Sequence, residues 1–328
     1  MGNMILLNRS AIQALMTPAD YLAAVEHAFR AAKEGRASSP PPMHIHGHGG
    51  GFHAKGAALD GERNYVALKL NGNFPGNPAR TGLPTIQGAV LVCDADNGSV
   101  LALLDSIEIT LRRTAAASAL AARHLAKPRS EVLAIVGCGD QARPQAEAIA
   151  ALFPPKRILC FDIDKTRASA FAKTMGNALG AAVTAAGSLA DATREADIIV
   201  TCTTAQKPFL TPGDVKPGAF IAAVGADNPG KSEIDPALMK KARVVVDSLD
   251  QCSTMGDLHH ALDAGAMTKQ AVHAELADIV VGARAGRSEA GEIFIFDSTG
   301  TALQDVASAA LAYERARDLG RGQLFSLT

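Results

Sequence analysis

The stretch from Glu131 to Ala142, EVLAIVGCGDQA, constrains this chain more than any other. An apolar run from Val132 to Val136 is followed at once by Gly137-Cys138-Gly139-Asp140-Gln141-Ala142, a match to G-x-G-x-x-G/A. Helical periodicity through Ala146, Ile149, Ala150 and Leu152 comes next. The order is strand, turn, helix. Gly137 makes the tight turn, Gly139 lets the backbone approach a pyrophosphate, and small Ala142 allows close helix–strand packing. A second apolar strand, Arg157 to Phe161, ends at Asp162, about 25 residues past Gly137 and near the spacing expected of a ribose-binding acid. That carboxylate would accept ribose hydroxyls and repel a 2′-phosphate, which favours NAD. Lys165 and Arg167 blunt the preference, so NADP stays as the alternative. The competing explanation is a glycine turn in some other α/β sheet, with Asp162 capping a helix.

The remainder of the chain suits such a sheet. With 328 residues there is room for one large or two medium domains. Thirty-two basic residues against 33 acidic ones give no footprint for nucleic acid or a membrane surface. No apolar run reaches membrane-span length, and the N-terminus lacks the pattern of a signal peptide. Cys93, Cys138, Cys160, Cys202 and Cys252 are scattered, odd in number and mostly in or beside expected strands. They fit buried, reduced thiols and a cytoplasmic protein.

Before the fingerprint, Pro18–Lys33 is expected to be a helix with Thr17 as N-cap and an apolar stripe through Leu22, Val25, Ala28 and Phe29. A stiff Ser38–Pro42 connection leads to Met43-His44-Ile45-His46-Gly47-His48. His44, His46 and His48 would share one face of an extended strand. No Cys or carboxylate stands at zinc-site spacing, so a substrate-cleft wall is favoured over a metal site and no metal is expected. Tyr65–Leu70 is a strand carrying Lys69, Asn71–Pro84 a loop, and Thr85–Asp94 with Val100–Asp105 a hairpin. Ile107–Ala126 is an alanine-rich helix bearing Arg112 and Arg113 that bridges two domains. From Ser130, strands and helices alternate as in a parallel doubly wound sheet. Strands are expected at 132–136, 157–161, 182–185, 198–201, 220–223, 244–247 and 292–297, and a last helix at 303–316. The fold class is therefore α/β, a Rossmann-type doubly wound sheet (126–302) inserted in a second, α+β lobe (1–125 plus 303–328) for substrate binding and dimerisation.

Four segments outside the fingerprint carry a family pattern. They are Lys69 with Gly76-Asn77 and Gly82-Leu83-Pro84-Thr85; Leu111-Arg112-Arg113-Thr114-Ala115-Ala116; Ala223 through Glu233 (AVGADNPGKSE); and Ile295-Phe296-Asp297-Ser298-Thr299-Gly300. Together with GCGDQA they resemble the ornithine cyclodeaminase/mu-crystallin family over nearly the whole chain. The resemblance implies that Gly137, Gly139, Asp140, Gln141, Asp162, Thr203, Val224 and Ser298 contact a dinucleotide, with Thr85, Arg113, Asp227 and Lys231 near it. It further implies that Lys69 binds a substrate carboxylate, with Arg113 beside it, or stabilises the imine stage, that Thr299 touches substrate, and that Asp227 is the general acid/base. Members bind small amino or imino acids in a cleft between lobes and pair as homodimers through the non-nucleotide lobe. Ornithine-acting members carry an Arg after the proline stretch, where this chain reads Pro41-Pro42-Met43-His44. An imidazole cannot replace a bidentate guanidinium like for like, so either His44 and its strand contact substrate instead or the substrate differs from ornithine.

Hydride transfer at an amino-acid α-carbon needs a fixed ring, a cation for the carboxylate and a proton shuttle on nitrogen. An ordinary Asp titrates at about 4, so donating a proton near neutrality asks for a large upward displacement, roughly 4 kcal/mol. A neighbouring Lys69 or Lys231 would oppose it and leave Asp227 mainly a base and iminium partner. The expected function is an NAD(P)-dependent imine reductase or amino-acid dehydrogenase. The alternatives are a cyclodeaminating lyase that recycles its cofactor and a ligand-binding protein of the crystallin type without turnover. Taken singly, Asp227 could be a turn residue, Lys69 a solvated strand lysine and Arg113 part of a structural salt bridge.

Overall fold

The computed structural model describes residues 3–326, which form two compact units, residues 3–113 with 301–326 and residues 114–300.

The first unit begins with strand β1 (Met4–Leu7) and helices α1 (Arg9–Leu15) and α2 (Pro18–Lys33). In α2, Thr17 accepts a hydrogen bond from the Asp20 amide while the Asp20 side chain returns to the Thr17 amide, closing a capping box behind Pro18. Its buried stripe holds Tyr21 beside Val25, Ala28 and Phe29, whereas Leu22, expected there, is only half-buried. Strands β2 (Ala37–Ser38), β3 (Met43–Gly47), β4 (Gly50–Leu59) and β5 (Tyr65–Asn73) follow. Then come helix α3 (Asn77–Thr81) and strands β6 (Ile86–Asp94) and β7 (Val100–Asp105). The 71–84 segment is thus not all loop. β5 runs on through Asn73 because its ladder to β6 continues there, and Pro78 opens a short helix closed by left-handed Gly82.

Helix α4 (Ser106–Leu125) carries the chain from the first unit into the second, the division falling after Arg113. The second unit holds β8 (Val132–Val136), α5 (Ala142–Leu152), β9 (Arg157–Phe161), α6 (Lys165–Leu179), β10 (Ala182–Ala185), α7 (Leu189–Thr193), β11 (Ile198–Thr201) and β12 (Phe220–Ala223). It continues with α8 (Pro236–Lys241), β13 (Arg243–Val246), α9 (Leu249–Cys252), α10 (Gly256–Asp263), β14 (Ala274–Glu275), α11 (Leu276–Val280) and β15 (Phe294–Asp297). Helix α12 (Ala302–Asp318) and strand β16 (Gln323–Phe325) complete the first unit.

In the second unit every strand pair is parallel, in the order β10-β9-β8-β11-β12-β15-β13-β14. The chain reverses its direction of winding between β8 and β11, so a crevice for ligand is expected at the carboxyl ends of those strands. Five of the seven strands expected from sequence keep their limits, and the other two start or stop within two residues of them. All-apolar β12, and β11, which is apolar up to Thr201, are buried along their full length, as strands covered on both faces must be.

The first unit has a mixed sheet, β16-β1-β7-β6-β5-β4-β2 with β3 hydrogen-bonded to β4. Strict alternation along β5 buries Tyr65, Ala67 and Lys69 and exposes Val66, Leu68 and Leu70. Helix α12 packs on β4 and β5 and against α2. Among the described residues no helix is long and apolar enough to cross a membrane.

Candidate active site

The first unit buries a cation on a strand. Lys69 sits mid-β5 on the α12 side and is 4% exposed. Its ammonium lies 2.6 Å from Asp305 Oδ2 and 3.4 Å from Thr110 Oγ1. Arg113 donates from Nε to Asp305 Oδ1 at 2.9 Å and from Nη1 to Gln304 Oε1 at 2.8 Å. Asp305 and Gln304 belong to the first turn of α12, and all of these groups lie in the first unit. Burial pulls the Lys69 ammonium down to about 7; Asp305 opposes this, while the charges of Arg113 and Lys55 add to it. Burial pushes the Asp305 carboxyl up, but Arg113 and Lys69 outweigh it and hold the group below its ordinary value. Lys69 is therefore not a solvated strand lysine, and Arg113 rather than Arg112 is the buried member of its pair. Arg112 turns to Glu108 at 3.0 Å.

Asp305 and Gln304 were not legible as site residues. Four positions past Thr301, an acid in a helix's first turn reads as an ordinary partner of the helix dipole. Only the tertiary fold sets it against a strand lysine more than 200 residues earlier in the chain.

On the same sheet face, antiparallel registration sets Lys55 opposite Lys69, His53 opposite Asn71, and His44 opposite His53. The His44 and His53 rings meet edge to face with centroids 4.6 Å apart. His48 lies beyond the end of β3 in the hairpin turn, so the shared histidine face expected from sequence is limited to His44 and His46 on that strand. Among the described residues no group of three or more His, Cys, Asp or Glu side chains could hold a metal ion. Thr85, also in the first unit, is half-buried and its carbonyl accepts the Phe74 amide.

In the second unit the loops after β8, β9, β11, β12 and β15 carry the expected dinucleotide residues of that unit at the carboxyl ends of the strands. Gly137 has φ +92°, and a Cβ there would stand 2.8 Å from Cys202 O and Thr203 Cγ2. Gly139 is different: nothing lies within 4 Å of where its Cβ would be. A glycine that no neighbour in the chain requires, ahead of the 11-residue helix α5, fits the approach of a pyrophosphate. Asp140 is exposed, and Gln141 Oε1 is buried without a hydrogen-bond partner. Asp162 Oδ2 accepts the Cys138 amide and Oδ1 the Asp164 amide, each at 2.8 Å. The helix cap is instead Asp164, whose side chain accepts from Thr166 and Arg167. With one donor on each carboxylate oxygen, Asp162 keeps acceptor capacity for ribose hydroxyls.

Glu233 ties two of these loops together. Its carboxylate accepts the Thr203 amide at 2.7 Å, the Gly225 amide at 2.9 Å and the Thr201 hydroxyl at 2.7 Å. Burial and the nearby Asp257 raise it to about 7. Asp257, raised to about 6 by burial, accepts the Glu233 and Ile234 amides. Val224 is buried after β12, and Asp227 Oδ1 meets Lys231 Nζ at 2.8 Å, with the Asp227 side chain about half exposed (53%). The opposing lysine expected for Asp227 is thus Lys231, within the same loop.

After β15, Ser298 donates to Asp247 Oδ2 at 3.2 Å, and Thr299 donates to Asp247 Oδ1 at 3.1 Å while accepting from Gln251 at 2.7 Å. Both hydroxyls are buried and engaged by Asp247, a partner the sequence did not single out. Among the described residues the five cysteines are free; Cys160 and Cys252 are buried, but Cys93, Cys138 and Cys202 are only half-buried, contrary to expectation. Cys138 lies within the glycine turn, and the Cys202 thiol donates to the Gly137 carbonyl.

Comparison with known proteins matches this architecture along its whole length. An archaeal alanine dehydrogenase dimer with bound NAD superposes with a TM-score of 0.95 at 34% identity, covering 100% of both chains. The Δ1-pyrroline-2-carboxylate reductase of Thermococcus litoralis, solved with NADH and L-proline, gives 0.93 at 32% identity over 98% of this chain and 99% of that one. The iminosuccinate reductase of Paracoccus denitrificans, solved with NAD+, gives 0.91 at 32% identity over 99% and 100%. The family model for ornithine cyclodeaminase/mu-crystallin proteins matches residues 2–320. A parallel nucleotide-type sheet, a buried strand lysine and this end-to-end match make the chain a member of the ornithine cyclodeaminase/mu-crystallin family.

Proposed function

We propose that this protein is an NAD(P)-dependent oxidoreductase acting on the C–N bond of a small amino or imino acid. The observation that carries the proposal is the buried Lys69–Asp305–Arg113 cluster. Two cations are held on one carboxylate in a desolvated setting, where an anionic ligand gains most. Related alanine dehydrogenase, pyrroline-2-carboxylate reductase and iminosuccinate reductase support the reaction class.

Lys69 and Arg113 bind the substrate carboxylate, Arg113 through guanidinium N–H groups that Asp305 and Gln304 do not use. Lys69, drawn down to about 7, holds a proton that it can lend to the developing amine. Asp227, paired with Lys231, serves as base and as partner of the iminium. His44 and Thr299 complete the substrate contacts. Gly137, Gly139, Asp140, Gln141, Asp162, Thr203, Val224 and Ser298 hold the dinucleotide, with Thr85 and Lys231 nearby; when bound, it supplies or takes up the hydride. Asp162 favours NAD over NADP.

The exposed apolar residues Val66, Leu68 and Leu70 on the outer face of β5, with Ile45 and Phe52 beside them, support a homodimer through the first unit. Free cysteines fit a cytoplasmic setting.

The test is a substrate screen that follows NADH oxidation and ammonia release together. Pyrroline-2-carboxylate, piperideine-2-carboxylate, pyruvate with ammonia, oxaloacetate with ammonia, and ornithine are the substrates. Stoichiometric NADH oxidation with an imino acid is expected. Ammonia release from ornithine with no net change in NADH would replace the proposal with a lyase. Asp227→Asn should abolish turnover and leave NADH affinity in place; near-normal turnover of that variant removes Asp227 from the proton step.

A further inference from the structure

Beyond Lys69, strand β5 carries another polar side chain on the same face. Period-two alternation sets Asn71 there, about 7 Å further along the strand. Across the ladder on β6 it faces Gly88, and Ser106, the first residue of α4, borders Gly88 as well. A Cβ at residue 88 would stand 2.3 Å from Asn71 Oδ1, 2.8 Å from Ser106 Oγ and 2.2 Å from the Leu70 carbonyl oxygen. Glycine at this position leaves the space over it to the two side-chain oxygens. Both of those atoms are buried and neither has a hydrogen-bond partner, with Ser106 itself 0% exposed. Such orphaned groups are few in a native interior, because each gives up the hydrogen bonds it had in water. The cradle adjoins the carboxylate-binding cluster. Ser106 lies one helical turn before Thr110, whose Oγ1 is 3.4 Å from Lys69 Nζ. Strand β5 and helix α4 thus each lead from the Lys69 ammonium toward the cradle in one step of about 5–7 Å, all within the first unit. Asn71 and Gly88 are only half-buried as residues, and the last torsion of an Asn side chain is soft, so a turn of the amide brings Oδ1 to a ligand.

We propose that Asn71 and Ser106 form a hydroxyl-binding site over Gly88, and that the substrate is an amino or imino acid with a hydroxyl on its side chain. The proposal rests on Lys69 and Arg113 holding the carboxylate of that substrate. A hydroxyl matches the pair: it donates its hydrogen to Asn71 Oδ1 and accepts that of Ser106. A second carboxylate would set its charge against the Asn71 oxygen, with Ser106 as the single donor of the pair. An ammonium would stand near Lys69 and Arg113, whose shared counter-ion Asp305 is already engaged by both. An apolar side chain leaves both oxygens buried and unpaired. The neutral pair therefore selects against both kinds of charged side chain and against a bare alkyl group.

The experiment is calorimetric titration of the NADH-loaded protein with two pairs of acids, propionate against 3-hydroxypropionate and butyrate against 4-hydroxybutyrate. Ser106→Ala and Asn71→Ala are titrated alongside the wild type. In at least one pair the hydroxy acid should bind about 10-fold more tightly, the increment of one to two neutral hydrogen bonds. Either substitution should remove most of that ratio. Turnover of hydroxypyruvate with ammonia against pyruvate with ammonia should show the same preference in kcat/KM, and the same two variants should lose it. Equal affinity within both pairs, as a bridging water over Gly88 alone would give, overturns the site. An equal loss of both members of a pair in the variants does so too, since that is what a merely structural role predicts. If Asn71→Ala does not fold, Ser106→Ala, which removes a single oxygen atom, decides in the same way. A hydroxy-acid preference that depends on Ser106, without NADH oxidation by any acid, would sink the redox proposal and keep the site. Reduction of pyruvate with no hydroxy-acid preference would do the reverse, and no binding of any acid would sink both.

Discussion

Asp305 Oδ2 stands 2.6 Å from Lys69 Nζ, joining the first turn of α12 to the middle of β5 in the interior of the first unit. Because Asp305 also accepts from Arg113, one carboxylate positions both cations proposed to hold the substrate, and it opposes the loss of charge that burial favours at Lys69.

Removing that carboxylate should be costly. Asp305→Asn leaves two buried cations without their counter-ion, a loss of about 3 kcal/mol on the scale of broken buried ion pairs. Urea denaturation monitored by circular dichroism measures it. A midpoint equal to that of the wild type would show that the cluster contributes nothing net to folding.

The pH dependence of catalysis follows from Lys69. Its folded-state value is pulled down to about 7, so protonated Lys69 is present below that pH and lost as pH rises through it. kcat/KM reports the free enzyme, and for an anionic substrate it should fall across that range. Lys69→Arg, whose guanidinium stays charged, should lower the rate but flatten this limb. A wild-type profile that is level from pH 6 to about 9 rejects the proton role of Lys69.

Glu233 offers a test in the second unit. Its folded value, about 7, lies above the ordinary 4.5, so the stability it contributes is full below about 4.5 and is lost as pH rises through about 7. Glu233→Gln should remove this dependence. It should also cost about 2 kcal/mol, because an amide NH2 then faces donors from Thr203, Gly225 or Thr201. Melting temperatures of both proteins at a series of pH values, with NADH affinity measured on each, check this. Parallel curves for variant and wild type would contradict it.

The proposed preference for NAD rests on Asp162. Asp162→Ser should weaken NADH binding about 10-fold and raise the relative use of NADPH, since the repulsion of a 2′-phosphate goes with the carboxylate. Fluorescence titration with both cofactors decides. A wild-type protein that already prefers NADPH contradicts the assignment.

The proposed assembly rests on the outer face of β5. Leu68 is 48% exposed between exposed Val66 and Leu70, an apolar strip that the described residues leave uncovered. Leu68→Asp should convert the proposed homodimer into a monomer in sedimentation. A wild-type protein that sediments as a monomer removes the proposal.

The sequence by itself determined the parts of the fold whose causes are local. The period-two alternation of β5, the capping of α2 at Thr17, the apolar runs of the parallel strands and the glycine turn after β8 follow from side-chain chemistry within a few residues. The family was legible for the same reason, because its motifs are short and contiguous. What only the tertiary structure decided was the pairing of distant charges. Asp305 against Lys69 and Arg113, Glu233 against Thr203, Asp247 against Ser298 and Thr299, and Lys55 against Lys69 all join separate elements. Registration and burial, which no local pattern encodes, turn an ordinary helix-end acid into a buried counter-ion and an ordinary strand lysine into a group that titrates near neutrality.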